Sequence, residues 1–148
     1  QRQMCIRDRD DIQIKLIDFG LAEMYGNNDR NDVDKILSDK HCGKPNYKSP
    51  ECKNKEKKFC PFSNDIWCIG ISLFMLCLGG SPWESADIND KSYKYIMNNG
   101  IMETIKSWNR LDYVNEYILS LLTNILKPEN KRMSLNDIKH SLWLKRSN

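Results

Sequence analysis

Histidine is nearly absent from this chain: 148 residues contain two, at positions 41 and 140. Neither has a serine, cysteine or aspartate companion that suggests a nucleophilic triad, so both read as structural. The six cysteines, at 5, 42, 52, 60, 68 and 77, include no C-x-x-C pair of the kind that marks a zinc site or a redox motif. No secretory leader is visible, which leaves a disulfide framework without support. The thiols therefore read as reduced, and the protein as cytoplasmic or nuclear. Long hydrophobic runs are also missing. The longest, Ile66–Leu78, falls short of the ~20 residues that cross a bilayer, so it reads as a buried core helix and no membrane span is expected. An excess of one charge is lacking too. A net +3 is too weak to argue for nucleic acid or an anionic membrane as partner.

What remains is a globular composition, 40% hydrophobic and 29% charged, at a length that suits one domain. The first nine residues stand apart. Within Gln1–Arg9, the piece Met4-Cys-Ile-Arg-Asp-Arg9 resembles the translation of a sequencing adapter. Residues 1–9 are read as non-native and set aside from fold reasoning. Residues 10–144 are read as one partial domain, cut at its N-terminus, and 145–148 as a tail.

Ile12-Gln-Ile-Lys-Leu-Ile17 alternates and then turns continuously apolar, which predicts a short strand ended by Asp18-Phe19-Gly20. Residues 21–50 are polar and loop-like, with Pro45 and Pro50 bracketing a turn. Ser63-Asn64-Asp65 predicts the start of a helix running to Leu78, and Gly79-Gly80 its end. Because this helix is apolar nearly all round, it should be central. Further helices are expected over Lys91–Asn98, stopped by Gly100; over Tyr113–Leu126, stopped by Pro128; and over Ser134–Leu142, capped by Ser134 with Asp137 three positions on.

Five motifs in order carry a family resemblance. Ile14-Lys-Leu-Ile-Asp18-Phe19-Gly20 resembles the strand and D-F-G motif of eukaryotic protein kinases. Cys42-Gly43-Lys44-Pro45-Asn46-Tyr47-Lys48-Ser49-Pro50-Glu51 resembles the end of their activation segment. Asp65-Ile-Trp67-Cys-Ile-Gly70 resembles the start of the large lobe's central helix. Gly80-Ser-Pro-Trp83 resembles the following loop. Pro128 with Arg132, then His140-Ser-Leu-Trp143, resembles the domain's end. The resemblance covers nearly all of residues 12–144. It implies an α+β protein-kinase-like fold, of which this chain is mainly the α-helical large, C-terminal lobe.

The resemblance also implies roles. Asp18, with Phe19 and Gly20, would sit at the nucleotide, Asp18 binding the Mg²⁺ that bridges ATP phosphates. Gly43, Lys44, Tyr47, Ser49, Pro50 and Glu51 would form the substrate platform. Glu51 and Arg132 would make a buried ion pair that ties the segment to the helical core. Asp65 would accept backbone N–H groups from the catalytic loop, or cap its helix, and Trp67 and Gly70 would be structural. ATP, Mg²⁺ and a protein substrate are thus the expected cofactors and partners, with transfer of the γ-phosphoryl group to serine or threonine. The sequence sets no oligomeric state.

A working kinase also needs a Gly-rich loop, a strand lysine, its helix glutamate and H-R-D-x-x-x-x-N, none of which occurs in this sequence. Arg7-Asp8 is rejected as a catalytic pair on spacing. The chain itself is therefore expected to be inactive, with no catalytic residue of its own. Two departures bear on regulation. Lys44 stands where serine/threonine kinases usually carry threonine, and Lys40 where many carry a phosphorylatable threonine. No threonine occurs between Asp18 and Glu51. Ser38 is left as the possible phosphosite, and loop phosphorylation is not expected to be the main switch. The alternative reading is a pseudokinase or docking module that uses the helical lobe; Lys44 counts for it and an intact Asp18 against it.

Overall fold

The computed structural model describes residues 15–25 and 36–146. Seven α-helices follow one another among them: α1 Pro50–Lys53, α2 Pro61–Leu78, α3 Lys91–Asn99, α4 Ile101–Ser107, α5 Glu116–Ile125, α6 Leu135–Lys139 and α7 Leu142–Arg146. Single 3₁₀ turns occur at Phe19–Leu21, Leu111–Tyr113 and Glu129–Lys131.

The helix α2 organises the rest. It begins at Pro61, earlier than the Ser63-Asn64-Asp65 signal suggests. Proline at the first helical position lacks only an N–H that would be unpaired there anyway, and its fixed φ suits the helix. The end is as read from sequence: Gly79 takes φ 81° and its N–H bonds the Met75 carbonyl. This is the left-handed stop that glycine adopts without steric cost. With 18 residues, α2 could cross a membrane by length and composition alone. In this fold one face of it is core: Trp67, Ile71, Phe74 and Leu78 are buried in one cluster with Trp83, Ile96, Ile105, Leu122 and Ile125. Ile69 and Leu76 are 47% and 84% exposed, so the helix is less enclosed than its all-round apolar sequence predicts. Gly70 lets α5 come close, since a Cβ there would lie 2.5 Å from Ile125 Cγ2.

The other helices follow local chemistry. Asp90 caps α3 by accepting from the Tyr93 N–H, Asn115 caps α5 from Tyr117 and Ile118, and Ser134 with Asp137 forms a reciprocal capping box on α6. The Asn115 cap is why α5 starts after Tyr113. The region expected as one helix over Ser134–Leu142 divides at His140-Ser141 into α6 and α7. Gly100 ends α3 as read, but at φ 84° it also turns the chain straight into α4. That helix buries Ile101, Thr104 and Ile105 and was not foreseen.

The expected strand lies partly outside the described residues. Over 15–17 it is not formed, and Leu16 and Ile17 are exposed. A strand needs a partner to take its backbone N–H and C=O groups, and none of the described residues supplies one. The one β-type pairing among them is an isolated antiparallel bridge between Ser38 and Phe59.

Candidate functional site

Asp18 ends the exposed stretch from Lys15 and takes a left-handed conformation, φ 64° and ψ 70°. Such a backbone is uncommon for any residue but glycine, and aspartate tolerates it better than most. Strain of this kind concentrates at functional positions. Its side chain caps nothing in the 3₁₀ turn Phe19–Leu21 and is exposed. A Cβ at Gly20 would sit 3.4 Å from Asp18 Oδ1, an ordinary contact, so space alone does not demand glycine there. A magnesium ion carried by nucleotide phosphates keeps several waters and needs only one or two protein carboxylates. Asp18, exposed and unengaged among the described residues, fits that need as one ligand.

The second limb of the segment is tied down residue by residue. Ser38 exchanges two backbone hydrogen bonds with Phe59, at 2.9 and 3.1 Å. His41 Nδ1 lies 2.6 Å from the Cys52 carbonyl, and Lys48 Nζ donates to the His41 carbonyl. Gly43 takes φ 96° with open space around it, a conformation that favours glycine. Lys44 points to solvent, and its carbonyl accepts from the Tyr47 and Lys48 N–H groups. The Tyr47 hydroxyl reaches Met75 Sδ on α2. Ser49 is fully buried; its N–H and its hydroxyl both donate to Asn64 Oδ1, while its own oxygen caps α1 by accepting from Cys52. Pro50 then opens α1 and Glu51 follows in its first turn.

Glu51 meets Arg132 across 81 positions of sequence. The guanidinium grips both carboxylate oxygens, at 2.5 and 3.1 Å. It also donates to the Ser63 carbonyl and hydroxyl and twice to the Lys127 carbonyl. Its face lies 4.8 Å from the centre of the Trp67 ring. The Arg132 side chain is 1% exposed and that of Glu51 15%. The planar fork of arginine suits this bidentate grip, and no other side chain could serve so many acceptors at once. One residue thus joins α1, the first turn of α2 and the loop after α5. The Trp67 indole N–H is buried with no acceptor among the described residues, so this ring contributes surface and not a hydrogen bond.

Asp65 does not cap α2: with the helix starting at Pro61, it lies beyond the first turn. Its carboxylate has no hydrogen-bond donor among the described residues. One side is open, yet the protein atoms crowded around the rest push its carboxyl above the ordinary value. Beside it, a shallow cavity of about 200 Å³ runs between Leu21–Tyr25 and Ser38–Cys42. That is below the ~300 Å³ at which ligand pockets begin. Asn64 and Glu129, whose carboxylate accepts from the Cys60 N–H, position this part of the chain with no spacing signal to mark them in the sequence.

This order of parts has a counterpart among known proteins. The protein kinase domain matches residues 4–144 of the chain. The chain belongs to the protein kinase family. The match begins inside the nine residues read above as foreign. Among relatives, serine/threonine-protein kinase CHK1 of Saccharomyces cerevisiae is 33% identical over 90% of this chain and 24% of its own length. Serine/threonine-protein kinase plk-1 of Caenorhabditis elegans is 35% identical over 83% of the chain and 16% of its own length. Serine/threonine-protein kinase plk-2 of the same organism is 40% identical over 61% of the chain and 13% of its own length. The kinase chain thus spans a quarter or less of these relatives, and its helices correspond to the helical large lobe of the fold.

Proposed function

We propose that this chain is the rear part of an ATP- and Mg²⁺-dependent protein kinase that transfers the γ-phosphoryl group to serine or threonine. The observation that carries the reading is the junction at Arg132, which fastens the end of a substrate-facing segment at Glu51 to the helical core. Within the reading, Asp18 holds the metal and residues 43–51 present the substrate. The metal would supply charge neutralisation on the transferring phosphoryl group. Asp65 waits for backbone donors from a catalytic loop outside this chain, which fits a carboxylate without a donor among the described residues. The catalytic base and the ATP-binding lobe come from a longer polypeptide, and the chain alone transfers no phosphate. Serine/threonine specificity is supported by the names of the relatives. A cytoplasmic or nuclear setting belongs to the same reading, supported by unbridged thiols at Cys42, Cys52, Cys68 and Cys77.

The test is phosphoryl transfer from labelled ATP to serine, threonine and tyrosine peptides, by the longer polypeptide and by the chain alone. The longer form should act on serine and threonine, and Asp18→Asn should reduce its rate on the order of a hundredfold or more. Turnover by the chain alone, or full activity of Asp18→Asn, would overturn the assignment. One observation favours a docking module instead: Lys44, in place of the usual threonine, faces solvent and, among the described residues, bonds through its backbone only. An inactive longer form with an intact catalytic loop, made active by Lys44→Thr, would select that reading.

A further inference from the structure

The two limbs of the activation segment meet at a single carboxylate. Glu23 Oε1 lies 2.5 Å from Lys40 Nζ. Its Oε2 accepts from the Tyr25 hydroxyl at 2.5 Å and from the Ser38 hydroxyl at 3.3 Å, fifteen positions away in sequence. The partners are themselves anchored. The Tyr25 ring packs at a 50° tilt against Phe62 in the first turn of α2, at 5.3 Å between ring centres. Ser38 is paired with Phe59 through its backbone, and its hydroxyl oxygen accepts from the Lys40 N–H. Glu23 keeps 23% of its side-chain surface exposed against 69% for Lys40, so the carboxylate is the sheltered member of the pair.

We propose that Glu23 is a built-in clasp that holds the two limbs of the activation segment together without a phosphate group, and that phosphorylation of Ser38 would open it. The proposal rests on reading residues 18–51 as an activation segment. A phosphate orders such loops by offering negative charge and acceptor oxygens to a cation and to nearby donors. Glu23 already offers both to Lys40, Tyr25 and Ser38. Lysine bonding and the tyrosine hydroxyl hold the Glu23 carboxyl below its ordinary value, and Glu23 in turn pushes the Tyr25 hydroxyl up to about 12. Glu23 and Lys40 therefore carry opposite charges at neutral pH. A phosphoryl group on Ser38 would bring a charge of about −1.5 to −2 against the same carboxylate. It would also take the place of a hydroxyl that is 8% exposed as part of its residue and donates to Glu23. Repulsion and lost donation act in one direction.

Amide hydrogen exchange of the full chain tests this without reference to catalysis, so failure of the clasp and failure of the kinase reading are separate results. Exchange over residues 36–42 is the readout, because the Ser38 and Lys40 amides are bonded there. Glu23→Gln and Lys40→Glu should each speed it by roughly two- to fivefold, the scale of an ordinary partly exposed ion pair. Glu23→Lys combined with Lys40→Glu should return it toward the original rate. Phosphoserine installed at 38 should speed it, and Ser38→Ala should speed it less. Exchange over 67–78 in α2 should not change, which separates local opening from misfolding. Unchanged exchange in Glu23→Gln, a charge-swapped pair no better protected than either single variant, or a phosphoserine chain protected as well as the unmodified one would overturn the proposal.

Discussion

The helical rear of the molecule and its front segment obey different rules. In the rear, Trp67, Ile71, Phe74, Leu122 and Ile125 are at most 1% exposed and form a shared core, while Ile69 and Leu76 on the other side of α2 stay 47% and 84% exposed. In the front, Leu16, Ile17, Phe19, Leu21 and Met24 all lie open, from 65% exposed at Ile17 to 98% at Met24. What holds the front is mainly polar and pairwise, Glu23 with Lys40, Ser38 with Phe59, Lys48 with His41, helped by ring contacts of Tyr25 with Phe62 and of His41 with Phe59. The hydrophobic effect is roughly proportional to the area removed from water, so the rear is where this chain gains stability. The front has the composition of a surface that packs against something else. Between the two stands one buried charged junction.

Breaking that junction should have the largest effect. Arg132→Met removes a guanidinium that serves Glu51, Ser63 and Lys127 together. It strands a carboxylate that is 15% exposed. The expected loss is about 3–5 kcal/mol, a large share of the ~5–15 kcal/mol that holds an ordinary domain. Denaturant titration followed by tryptophan fluorescence measures it directly, since Trp67 lies under the guanidinium. A loss under ~1 kcal/mol would mean that the pair behaves as a solvated surface bridge, and that front and rear are not coupled through it.

The second effect lies wholly in the rear. A methyl group at Gly70 would meet Ile125 Cγ2 at 2.5 Å and Leu126 Cδ2 at 2.9 Å. Gly70→Ala gains helix propensity yet must force α2 and α5 apart, for a net cost of about 1–3 kcal/mol. Gly80→Ala is the control, with nothing within 4 Å of the added carbon; it should move the unfolding midpoint little. Equal effects at both positions would mean that α5 yields freely, and that the rear is less tightly packed than its burial implies.

The same contrast explains what the sequence made legible. Helix punctuation is local chemistry, so Gly79, the Ser134–Asp137 capping box and the apolar stripe of α5 could be read directly. Where two local signals competed, the reading erred. Gly100 looked like a stop and proved to be a joint into α4. Ser63–Asp65 looked like a start, while Pro61 had already begun α2 and Asn64 was engaged with Ser49. Ser49-Pro50-Glu51 reads from sequence as a turn, yet Ser49 caps α1 and Pro50 opens it. The strand at 12–17 depends on a partner strand, which no periodicity within the segment can supply. The Glu51–Arg132 pair is legible only through family resemblance, because nothing local links two charges 81 positions apart. The Glu23 clasp had no signal at all, since it requires the path of both limbs in space.

The smallest effect tests the border itself. Asp65 sits where the rear helix faces the front segment, and burial raises its carboxyl above the ordinary 3.8. For a carboxyl raised in the folded state, the favourable contribution is full below the unfolded value. It is lost as pH climbs through the folded value. At neutral pH the ionised Asp65 therefore opposes folding slightly. Asp65→Asn should leave the chain as stable at pH 7 or up to about 0.5 kcal/mol more so, with the advantage vanishing below about pH 3.8. Thermal unfolding at pH 7 and pH 3 measures both ends. If a longer polypeptide brings backbone donors to this carboxylate, the sign should reverse there, because the amide would lose a charge-assisted bond worth about 1.5–3 kcal/mol. A loss of stability on Asp65→Asn in the chain alone would instead show that the carboxylate already has its partner, and that the border is closed without any further segment.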